Sequence, residues 1–74
     1  MALRITNQIR RLRFDADEMT QADLAARVGV TRQTIMAIEA AKYSPSLELA
    51  FLIARAFDKP LDQVFQFTAA QPDP

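Results

Sequence analysis

Apolar residues recur along this chain at helical spacing, in short runs broken by capping residues rather than in one long span. The first run predicts a helix from about Asn7 to Arg13, with Thr6 or Asn7 as its cap and Ile9 and Leu12 on the buried side. The FDADE stretch, Phe14 to Glu18, ends it. The next start signal is the clearest in the chain. Thr20 is a cap, Asp23 sits three residues on as a short-armed capping box, and Met19 is spaced to staple onto Leu24. Leu24, Ala25 and Val28 form the inward face, and Gly29 stops the helix where the backbone must turn left-handed.

The chain restarts at once. Thr31 is a second cap, Val30 and Ile35 stand at staple spacing, and Ile35 and Ile38 recur three apart on one face. Two short helices joined by a tight turn on a glycine make a helix-turn-helix unit.

Ala41 to Pro45 reads as a loop, and Ser46 caps a fourth helix from Leu47 to about Phe57. Its expected core stripe is Leu47, Ala50, Phe51, Ile53, Ala54 and Phe57. Leu49, Leu52 and Ala56 form a second apolar stripe, either a dimer interface or a face packed against the terminal ribbon or the last helix. Pro60 opens a last short helix through Leu61, Val64 and Phe65. Apolar and polar residues alternate briefly in Ala2–Ile5 and Val64–Thr68, the pattern of a small two-stranded sheet. Ala69 to Pro74, with two prolines, reads as a disordered tail. The expected organisation is therefore one domain over residues 1–68, with the motif at about 20–40.

Composition narrows the function more than it widens it. The chain has 74 residues and no cysteine or histidine. That removes disulfides, thiolate metal sites, the usual general base and the usual zinc ligand. No metal, cofactor or small-molecule ligand is expected, because so small a core has little room for a pocket. The longest unbroken apolar stretch, Leu49 to Ala54, is far below the roughly 20 residues that a bilayer requires. Arg4 has no apolar run behind it, so no secretory signal is expected. The expectation is a cytoplasmic protein without a membrane partner.

The formal net charge is zero, which by itself argues mildly against nucleic acid. Its distribution points the other way. Residues 1–14 hold Arg4, Arg10, Arg11 and Arg13 without an acid, and Asp15, Asp17 and Glu18 follow directly. Such segregation allows one basic face on a neutral molecule. A solvated helix surface beside an acidic loop is the competing reading.

The run from Thr20 to Phe57 resembles the Cro/CI-type, or XRE, helix-turn-helix family. The resemblance rests on LR at Leu12–Arg13, TQ at Thr20–Gln21, LA at Leu24–Ala25 and VTRQTI at Val30–Ile35, with IE at Ile38–Glu39 and KYSPSLELA from Lys42 to Ala50. It extends from about Asn7 to Phe65. It implies an all-α, five-helix, lambda-repressor-like DNA-binding domain. The RQTI and PSL-x-LA features are similar to those of small stand-alone repressors, one of which controls a bacterial cytolysin operon. In that subgroup the terminal segments pair as an antiparallel ribbon and the protein is a homodimer. The implied function is a bacterial, nucleoid-associated transcriptional repressor acting on a short palindromic operator of double-stranded DNA. Two features depart from the pattern. Ala41 stands where relatives often have glycine, and the acidic FDADE loop must point away from phosphates.

In this motif the start of the second helix reaches base edges. Thr31, Arg32, Gln33 and Thr34, with Met36 and Ala37 one turn on, are the candidate base contacts. Arginine's fork matches guanine, and glutamine pairs bidentately with adenine. The candidate backbone contacts are Thr20, Gln21, Lys42, Tyr43, Ser44 and Arg10, though solvated surface is the better reading of Arg10 from sequence alone. The resemblance assigns Gln21 a phosphate grip and a bracing role, and makes Arg13 and Glu39 a partly buried ion pair. Leu61 and Phe65 join Leu49, Leu52 and Ala56 as dimer-interface candidates. An enzyme is not expected, since no nucleophile–base spacing stands out. The stronger competitor is an antitoxin or protein-docking module of the same fold.

Overall fold

The computed structural model describes residues 3–69. These form, in chain order, β1 (Leu3–Asn7), α1 (Ile9–Asp15), α2 (Gln21–Val28), α3 (Arg32–Glu39), α4 (Leu47–Ala56), α5 (Leu61–Val64) and β2 (Phe65–Ala69). Residues 70–74 of the expected tail lie outside the described residues, and Ala69 closes β2.

Each helix of the motif starts where a side-chain oxygen meets a free amide. The Thr20 hydroxyl accepts from the Asp23 N–H at 2.9 Å, and the Asp23 carboxylate accepts from the Thr20 N–H at 3.2 Å. Thr31 accepts from Thr34 N–H at 3.2 Å, and Ser46 from Leu49 N–H at 3.1 Å. Gly29 ends α2 at φ +79°, its N–H donating to the Ala25 carbonyl at 2.9 Å. A side chain there meets no atom within 4 Å, so the requirement for glycine is one of backbone conformation alone.

The core is a single cluster at the meeting of the helices. Ile9, Leu24, Ile35, Ile38, Ile53 and Val64 are fully buried, with Met19, Ala25, Val28 and Ala54 beside them. Met19 and Leu24 are both buried, in keeping with the staple spacing.

α4 differs from expectation. Ala50, Ile53 and Ala54 face inward, but Leu47 and Phe51 are 69% and 50% exposed. Phe57 packs against the core as expected, Leu49 and Ala56 of the second stripe pack against it too, and only Leu52 of that stripe stays substantially open. Glu48 and Arg55 stand seven apart on one side of the helix, and Leu47, Phe51 and Leu52 share that outward half, so the expected stripe is centred too close to the charged side.

The terminal segments pair antiparallel, with Asn7 opposite Phe65, Ile5 opposite Phe67 and Leu3 opposite Ala69. β1 runs two residues further than expected, and α1 starts two residues later. Asn7 completes the ladder, and Gln8 rather than Thr6 or Asn7 takes the N-cap position of α1, while the Asn7 side-chain oxygen accepts from Ile9 N–H at 3.1 Å. α5 ends at Val64 because Phe65 is already extended, at φ −121° and ψ 139°.

Candidate nucleic-acid interface

The start of α3 projects two functional groups, unpaired among the described residues, from a rigid base. Arg32 and Gln33 are exposed in the first turn, while Ile35 and Ile38 anchor the opposite face in the core. Thr34 is tied back, its hydroxyl 3.0 Å from that of Thr31. Met36 is 42% exposed one turn on, and Ala37 is half-buried.

The far end of α3 is clamped from two directions. Arg13 of α1 donates from Nε and Nη2 to the two carboxylate oxygens of Glu39, both at 2.9 Å. Its Nη1 donates to the Met19 carbonyl at 2.9 Å. The two side chains are only 15% and 12% exposed, so this fork works largely away from solvent screening. From β1, the Asn7 amide donates to the carbonyls of Ile38 at 2.9 Å and Glu39 at 3.4 Å, adding a side-chain donor at the helix end, where the Ile38 oxygen also accepts from the Ala41 N–H. Asn7 is a positioning residue that the sequence offered only as a helix cap. Nothing local in the sequence reveals its reach across 31 residues.

Gln21 joins the same network. Its side-chain nitrogen donates to Glu39 Oε1 at 3.4 Å, which brings its carboxamide to the junction of α1, α2 and α3. An open groove of about 540 Å³ passes there, and Arg10, Thr20, Gln21, Ala22 and Arg32 all line it. The fold thus gathers a guanidinium from α1, one from α3 and the amide-rich start of α2 into one concavity. An anion finds both fixed positive charge and free backbone N–H groups in such a place.

Glu18 lines this groove as well, so the FDADE loop does not turn wholly away from it. Asp17 and Glu18 hold φ of +61° and +57°, and this left-handed pair carries the chain from α1 to the α2 cap. Lys42, Tyr43 and Ser44 lie elsewhere, exposed in the loop after α3. That loop begins at Ala41, at φ +60°, where the Lys42 N–H reaches the Ala37 carbonyl at 2.9 Å and the Ala41 N–H that of Ile38 at 2.9 Å. The left-handed alanine closes the helix as glycine does in the common C-terminal motif.

A family model described as helix-turn-helix matches residues 9–64, from the start of α1 to the end of α5. The chain belongs to the XRE-type helix-turn-helix family. An uncharacterized helix-turn-helix-type transcriptional regulator of Archaeoglobus fulgidus is 53% identical over 49 residues, covering 66% of this chain and 69% of that protein. One of Methanocaldococcus jannaschii is 55% identical over 47 residues, covering 64% and 71%. The Bacillus subtilis regulator YgzD is 50% identical over 46 residues, covering 62% and 70%. In this DNA-binding, transcription-regulating family, α2 and α3 are the two helices of the motif. Among the described residues no helix is long and apolar enough to cross a membrane.

Proposed function

We propose that this helix-turn-helix regulator represses transcription by binding a short palindromic operator as a homodimer, with α3 in the major groove. Arg32 and Gln33 read base edges, and Met36 and Ala37 meet thymine methyls one turn on. Thr31 and Thr34 sit at the groove floor, their hydroxyls already engaged with each other. Gln21, Thr20 and Arg10 hold one flanking phosphate run, and Lys42, Tyr43 and Ser44 hold the other. The observation that carries this reading is the pairing of two free, exposed side chains at the start of α3 with a helix end fixed by Arg13 and Asn7. Specific contacts need side chains that are free at the tip and a helix that does not move beneath them.

A single module meets only a few base pairs, and two copies on half-sites about one helical turn apart supply the rest. Anisotropy titration of a labelled duplex from upstream of the regulator's own gene, against a scrambled duplex and across a salt series, tests the proposal. Salt-sensitive binding that prefers the native duplex, and loses that preference in Gln33→Ala, is the expected result. Equal weak binding to both duplexes, with wild-type and Gln33→Ala proteins indistinguishable, would turn the assignment towards a protein-docking module of the same fold.

A further inference from the structure

The first helix presents a face that neither the core nor the two-helix motif uses. Arg10, Arg11 and Phe14 stand within about 100° of one another around α1, on the side away from Ile9 and Leu12, which meet the core. All three are exposed, Phe14 by 67%. They form one wall of an open trough of about 660 Å³, larger than the groove at Thr20 and Arg32. Met36 and Ala40 of α3, one helical turn apart, form the other wall. The half-buried Asn7, Gln21 and Glu39 line the trough as well. Arg10, Gln21 and Glu39 line both concavities, so one continuous path runs from the start of α2 to the gap between α1 and the end of α3.

We infer that this path seats a sugar–phosphate strand of the duplex beyond the phosphates at Gln21, with Arg11 joining Arg10 on phosphate oxygens and Phe14 resting against a deoxyribose. The inference rests on the operator-reading assignment and extends its footprint to α1, outside the two-helix motif. Three observations choose the occupant.

The first is charge. Glu39 is the one acid among the trough's lining residues, and the Arg13 fork already occupies it, which leaves two guanidinium groups to draw an anion. Among the described residues their one ion-pair partner is Asp15, 3.6 Å from Arg11 with both side chains largely in water. Such a pair yields readily to a phosphate. The second is the mixture of chemistries. A DNA strand alternates phosphates with sugars that present apolar edges, and this wall sets a phenyl ring one turn from a guanidinium. The third is continuity. Met36 shares the exposed side of α3 with Gln33, so a strand in the trough flanks the major groove that α3 occupies.

Anisotropy titration of the upstream duplex with the full chain, across a salt series, tests this. Each phosphate contact contributes about 0.9 to the slope of log affinity against log salt, so Arg11→Gln should lower the slope by about 0.9 per bound protomer. Arg55→Gln, the same charge change on α4, should leave the slope unchanged. Phe14→Ser should weaken binding by about three- to tenfold at every salt concentration, the worth of a partly covered ring, with the wild-type slope. Contacts to sugar and phosphate carry no sequence information, so all three variants should keep the preference for the native over the scrambled duplex. Helical circular dichroism should match wild type throughout. A neutral methylphosphonate placed at each phosphate in turn then locates the contact. One position is expected to weaken wild type and leave Arg11→Gln unaffected. An Arg11→Gln protein with the wild-type slope, or a Phe14→Ser protein with wild-type affinity, would overturn the inference, leave the operator reading intact and turn the trough towards an acidic protein partner. A wild type that does not prefer the native duplex would overturn the operator reading and this extension with it.

Discussion

Arg13 and Glu39 meet as a two-pronged fork, 26 residues apart in sequence, with both N–O distances at 2.9 Å. The carboxylate also receives Gln21, so one acid ties the first helix, the start of α2 and the end of α3 together. Arg11 and Asp15 make the useful contrast. They lie 3.6 Å apart with 76% and 57% of their side chains exposed, and water screens them.

Glu39→Ala leaves Arg13 a poorly solvated cation and frees Gln21. Breaking a buried pair costs about 3–5 kcal/mol, and the small residual exposure here reduces that to about 2–3 kcal/mol. For a domain of this size each kcal/mol moves the melting temperature by roughly 4–8 °C, so a drop of at least 8 °C in a thermal melt is expected. Arg11→Ala should shift it by less than 3 °C. Equal shifts in the two variants would show that the fork is not a special support.

Ala41→Gly should stabilise. An alanine held at φ +60° carries a penalty of about 1 kcal/mol, partly offset by the greater unfolded-state freedom of glycine. The net gain expected in urea unfolding is about 0.5 kcal/mol. Gly29→Ala is the mirror experiment. Its new methyl group meets no atom within 4 Å, so the expected loss of about 1 kcal/mol is conformational, and the slope of the denaturation curve should not change.

Arg32→Ala and Gln33→Ala should separate recognition from folding. Both side chains are exposed and neither supports the core, so melting temperatures should stay within 2 °C of wild type. Each variant should lose about 1–3 kcal/mol of discrimination at its own base position in competition with single-site operator variants. Loss of affinity that is uniform across sequences would reassign that residue to phosphate.

Glu18→Gln removes an acid from the groove shared by Gln21 and Arg32. If a phosphate passes there, one like-charge opposition disappears. Duplex affinity should then rise several-fold at low salt, with the advantage shrinking as salt is added. An affinity unchanged at low salt would place the phosphate path away from Glu18.

The chain by itself determined the local punctuation. Thr20, Thr31 and Ser46 sit where side-chain oxygens must satisfy helix-start amides, and Gly29 sits where φ turns positive. These are interactions among residues one to four apart, so the order of residues decides them. With the spacing of Leu24, Ala25, Val28, Ile35 and Ile38, they sufficed for the two-helix motif and its exposed tip at Arg32 and Gln33. Resemblance paired Arg13 with Glu39, but the fork's geometry and the arrival of Gln21 needed the folded chain.

Tertiary structure decided everything that depends on a choice between equivalent faces or distant partners. Asn7 reads locally as a cap, yet Gln8 takes that position and Asn7 braces α3, because the ribbon lays β1 across the end of that helix. Leu47 and Phe51 read as core, yet they face outward on the half of α4 that carries Glu48 and Arg55, because the neighbouring elements pack on the faces of Ile53 and Leu49. Period fixes which residues share a face; only packing against the other elements fixes which face is buried.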